Sequence, residues 1–100
     1  MKIAIPLLGD RVAPHFGSSS KILQVEIEGN RLTKEVVSDI SEKGAMKTAR
    51  RLVEMGVEQV VCGGIQSIYK EWLISKGVKV LDNQKGAAAE VVRKLLESQG

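Results

Sequence analysis

The residues of this chain that could do chemistry are few and fall at two places. His15, the only histidine, stands between Pro14 and Phe16 in a stretch rich in loop formers, while Cys62, the only cysteine, closes an apolar run that continues into Gly63-Gly64-Ile65. Imidazole titrates near neutrality and is the commonest side chain for transition metals, and a thiolate is a softer ligand. One of each makes a partial metal site, with positions left open for a cargo's own ligands or for a second subunit. The plain alternatives are an incidental loop histidine and a cysteine that only fills space, as most buried cysteines do.

Glycines mark a second kind of chemistry. Gly63-Gly64 precedes one helical pattern and Gly86 another. Either turn could bring bare backbone and a helix N-terminus to an anion. There is no Walker lysine and no three-glycine dinucleotide fingerprint, so a phosphate signal stays weak, and a tight βα turn is the simpler reading. Other reaction classes lack their residues. Asp10 is the only acid near the end of the first strand, whereas two-metal nuclease chemistry needs several converging carboxylates. Ser18, Ser19 and Ser20 follow His15 without an orienting acid or a nucleophile elbow. The chain is expected to be a non-enzymatic binding protein.

The elements that must hold these residues follow from periodicity. Residues 2–8 form a continuous apolar run, as in a strand covered on both faces, and residues 11–20, with Pro14, Gly17 and three serines, predict a long loop. Residues 22–28 alternate, placing Leu23, Val25 and Ile27 on one face; Gly29-Asn30 reads as a two-residue hairpin turn. Residues 31–37 form a charged return strand suited to a sheet edge. Helices are expected over residues 44–55, 66–76 and 87–99, the second burying Ile65, Ile68, Tyr69, Trp72 and Leu73, with Gly56 and Gly77 as stops for the first two. Strands over 57–62 and 78–81 complete an α/β pattern. Right-handed crossovers and an edge hairpin favour a mixed five-stranded sheet in the order 3-2-1-4-5, with strand two antiparallel and helices on both faces. That order gathers the loop from Gly9 to Ser20, the turn Cys62-Gly63-Gly64 and the loop from Asp82 to Gly86 around one crevice.

One hundred residues make one domain, residues 1–100, and 43% apolar against 27% charged is ordinary globular composition. Fifteen basic residues face 12 acidic ones, interleaved, and Phe16, Tyr69 and Trp72 are the only aromatics, so neither a basic footprint nor a base-stacking surface for nucleic acid is present. No stretch is long enough to span a bilayer, and residues 3–8 are too short for a signal-peptide core. The expected location is cytoplasmic, with the single thiol kept reduced.

The assembled pattern resembles the dinitrogenase iron–molybdenum cofactor biosynthesis family over nearly the whole chain. The likeness rests on Met1-Lys2-Ile3-Ala4-Ile5-Pro6, on Asp10-Arg11-Val12-Ala13-Pro14-His15-Phe16-Gly17, on Val60-Val61-Cys62-Gly63-Gly64-Ile65, and on the glycine before the last helix at Gly86. The resemblance implies a ribonuclease H-like fold and a role in holding or delivering an iron–sulfur or iron–molybdenum cluster. It implies His15, within the His15-Phe16-Gly17 motif, as a cluster ligand, and Cys62, with Gly63 and Gly64, as a second ligand or lining. The chain departs from the family pattern at Leu8-Gly9-Asp10 and at Ile22 and Leu23.

The expected function is therefore a carrier for such a cluster, partnered by a cluster-receiving protein, acting as a monomer or weak homodimer without nucleic acid or membrane. A metal-free module for a phosphate- or nucleotide-like anion, or for protein interaction, is the alternative.

Overall fold

The first strand, β1 (Lys2–Leu8), lies at the centre of the sheet because both of its faces are apolar. Ile3, Ile5 and Leu7 point into one core cluster and Ala4 into the other. The computed structural model describes residues 1–99. The chain reverses at Gly9-Asp10 into a two-residue strand, β2 (Arg11–Val12), which pairs antiparallel with the end of β1. A single 3-10 turn (Phe16–Ser18) follows, then β3 (Lys21–Glu28), β4 (Arg31–Asp39), α1 (Ala45–Glu54), β5 (Gln59–Val61), α2 (Ser67–Ser75), β6 (Lys79–Leu81) and α3 (Ala88–Gln99).

The main sheet runs β4-β3-β1-β5-β6, with β2 attached to β1. The pairs β1–β3 and β3–β4 are antiparallel, while β1–β5 and β5–β6 are parallel. This is a mixed α/β sheet of six strands where the sequence predicts five. The added strand is β2, cut from the expected loop and too short for its two residues to carry a periodic signal.

Two cores lie on opposite faces of the sheet. Val91, Val92 and Leu95 of α3 cover Ile3, Ile5, Leu23, Val25, Ile27 and Val61. On the other face, Ala49 and Leu52 of α1 and Leu73 of α2 pack with Ala4, Phe16, Ile22, Val60 and Cys62. α1 and α2 end at residues 54 and 75, followed by Gly56 and Gly77 as the sequence predicts. The expected burial of Ile68 does not hold, for it is 65% exposed. At 3.6 residues per turn it sits about 140° around the helix from the buried Leu73. Tyr69 and Trp72 are half-buried rather than sealed.

β4 is the edge strand expected from its charges, and residues 31–37 are all exposed. Its register shifts between Glu26 and Ile27 of β3, a bulge of the kind that spoils edge-to-edge pairing.

Candidate functional site

The site begins with the segment between β2 and β3, which β5 and its glycine turn hold in place. The Phe16 N–H donates to the Gly64 carbonyl at 2.8 Å, and the Gly64 N–H donates to the Pro14 carbonyl at 2.8 Å. His15 and Gly64 thus form an isolated parallel bridge. Phe16, only 2% exposed, drops into the α1–α2 core as the anchor of the segment. Its serines brace the turn instead of merely solvating it. The Ser19 hydroxyl, itself buried, donates to the Phe16 carbonyl at 2.7 Å, and the Ser18 N–H donates to the His15 carbonyl at 3.0 Å. A histidine on a long segment is by these contacts held on a fixed base.

His15 itself is exposed and opens onto a cleft of about 490 Å³, a size typical of small-ligand sites. Phe16, Gly17, Ala45, Gly64, Ile65, Gln66 and Tyr69 complete its lining. Gly17 lies against the start of α1, where an added Cβ would sit at contact distance, 3.4 Å, from the Ala45 Cβ. The imidazole stands beside Gly64, where an added methyl would come 3.7 Å from Nδ1.

Gly63 is a site of close approach within the chain. A Cβ on Gly63 would press into the Ala13 carbonyl oxygen and lie 2.7 Å from that of Pro14. At Gly63 the bare backbone admits the neighbouring segment of the chain. The Gly64 N–H, expected as a donor to anionic cargo, is already spent on Pro14. Gly63→Ala should therefore lower stability by about 1–3 kcal/mol, the range for forcing atoms into a packed site. Chemical denaturation measures this, and an unchanged midpoint would mean that residues 13–14 do not rest on the turn.

Cys62 lies on the same side of the sheet as Phe16, in the same core cluster, yet it does not line the cleft. It continues the alternation in which Val60 faces α1 and α2 while Val61 faces α3, and its exposure is 0%. Burial pushes its thiol up to about 12 from an ordinary value of 9.0; the Asp82 carboxylate adds to the rise, and the Lys70 ammonium opposes it. Cys62 is thus sealed in the core, apart from the cleft that His15 opens onto. A thiol whose folded pKa is raised stabilises the fold below its unfolded value, and that contribution is lost as pH climbs through the folded one. Stability should fall from pH 9 towards 12, and a Cys62→Ala variant should lack that part of the fall. At pH 8 a thiol reagent should label the native protein far more slowly than the unfolded chain; equal rates would contradict the burial.

Gly86 also lies apart from the cleft. Its φ of 112° explains the glycine, and its carbonyl accepts the Val12 N–H at 2.9 Å. The Ala88 N–H donates to the Asp10 carbonyl at 3.0 Å, while the Asn83 and Gln84 N–H groups donate to the carbonyls of Gly63 and Cys62. All three expected segments are therefore laced together, but only the first two wall the cleft. Among the described residues no group of three or more His, Cys, Asp or Glu side chains is gathered for a metal. His15 is the only histidine, cysteine, aspartate or glutamate among the residues lining the cleft. Gln66 and Tyr69, which the sequence places at the start and on the buried face of the second helix, line the cleft as well. Their signal was position, since a helix opening just after Gly64 places its first turn beside the same turn.

A family model described as dinitrogenase iron-molybdenum cofactor matches residues 1–98. An uncharacterized protein of Methanocaldococcus jannaschii, MJ0580, is 28% identical over 108 residues, covering 99% of this chain and 88% of the relative. The crystal structure of PH0822 superposes with a TM-score of 0.92 at 25% identity, covering 98% of this chain and 90% of the other. A crystal structure of a candidate dinitrogenase from M. jannaschii, MJ0327, gives a TM-score of 0.79 at 19% identity, covering 99% and 90%; that likeness speaks to the fold alone.

Proposed function

The chain belongs to the dinitrogenase iron-molybdenum cofactor family, and from that membership we propose that it is a non-enzymatic carrier which holds an iron–sulfur or iron–molybdenum type cluster at His15 and passes it to a receiving protein. The observation that carries the reading is the seating of the only imidazole at the mouth of an open cleft, on a segment fixed to Gly64 by two backbone hydrogen bonds. Phe16, Gly17 and Gly64 shape that cleft, and one donor with open surroundings is what a carrier needs if it must later release what it holds. Cys62, Gly63 and Gly86 serve this reading as framework. We read residues 1–100 as one such domain, with the ribonuclease H-like assignment of its sheet as part of the same proposal.

The metal-free alternative loses its main donor, because the Gly64 N–H is engaged within the chain. Among the described residues no helix is long and apolar enough to cross a membrane. Anaerobic reconstitution with iron and sulfide, or with isolated iron–molybdenum cofactor, should give visible absorption that co-elutes with the protein. A colourless protein whose melting temperature rises with nucleotides instead would replace the carrier reading with the anion-binding one.

A further inference from the structure

His15 is one wall of the cleft, and the first turn of α2 is another. Tyr69 lines that second wall, half-buried, with its hydroxyl in none of the side-chain hydrogen bonds among the described residues. No buried polar side-chain atom among those residues lacks a partner, so this hydroxyl is an open donor and not a trapped one. The surrounding field sets the sign of what it would meet. Ala45 opens α1 and Gln66 caps α2, both line the cleft, and neither helix start receives a side-chain cap. Uncapped N-termini carry partial positive charge.

We propose that Tyr69, rather than Cys62, is the second residue that holds the cargo, its hydroxyl donating to a sulfide on the cargo's surface while His15 ligates a metal. This rests on the carrier reading above and narrows it to cargo that presents hydrogen-bond acceptors and net negative charge. Phenol suits the task. Its hydroxyl can donate, and a hydrogen bond to a charged acceptor strengthens holding.

The test compares wild type, Tyr69→Phe, Cys62→Ala and His15→Ala after anaerobic reconstitution with iron(II) and sulfide, reading iron affinity by chelator competition. Tyr69→Phe keeps the ring, so its melting temperature should match that of wild type. Its saturating iron content and visible spectrum should match as well, while its affinity drops about tenfold, as for a lost hydrogen bond to a charged group. Cys62→Ala, whatever it costs in stability, should hold iron with wild-type affinity while folded. Tyr69→Phe binding as tightly as wild type, or Cys62→Ala losing its iron while folded, overturns this inference alone. A wild type that retains no iron, or a His15→Ala variant that binds as well as wild type, overturns the carrier reading and this inference together.

Discussion

His15→Ala is expected to abolish cluster loading while leaving the fold untouched. The side chain is exposed and caps no helix turn, so its removal should change stability by less than about 0.5 kcal/mol. The backbone contacts that shape the segment, from Phe16 to Gly64 and from Gly64 to Pro14, do not use the imidazole. The cleft should persist without its metal donor. Since no group of three or more ligating side chains is gathered among the described residues, no neighbouring cluster stands ready to take over. Visible absorption after reconstitution should fall to the level of a non-binding protein, with thermal unfolding unchanged. A variant that still colours would move the ligand elsewhere.

Phe16→Ala should be the most damaging substitution to the fold near the site. The ring is among the largest fully buried side chains and touches the cluster built from Ala4, Ile22, Leu52, Val60 and Leu73. Removing it leaves a cavity, and such changes cost about 3–5 kcal/mol. For a domain of this length that lowers the melting temperature by on the order of 15 °C or more. Loading should suffer with it, because the segment carrying His15 then loses its anchor. A loss below about 1 kcal/mol in denaturant titration would show that Phe16 does not anchor the segment.

Much of this was legible in the residues. The unbroken apolar run of β1 announced a strand buried on both faces, and the alternation of residues 22–28 announced that Leu23, Val25 and Ile27 share a buried face. Gly56 and Gly77 marked where α1 and α2 stop. The apolar run that ends at Cys62 announced a buried strand, but not which helices would cover the thiol. Whether Cys62 would be lining or filler was therefore open until α1 and α2 were seen to seal it. Gly63-Gly64 was legible as a place of close approach, while the approaching partner was not. A glycine records that something comes near its Cα, and here that something is the carbonyl of Ala13. Tyr69 was hidden for a related reason: a half-buried aromatic on an amphipathic helix has the same spacing whether it meets a core or a cleft.

Because the chain has a single histidine, one isotope experiment can interrogate the ligand directly. Electron spin echo modulation of the reduced, reconstituted protein should show coupling to a bound nitrogen that changes when histidine alone is labelled with nitrogen-15. A paramagnetic cluster whose spectrum carries no nitrogen coupling, or one indifferent to the label, would contradict ligation by His15.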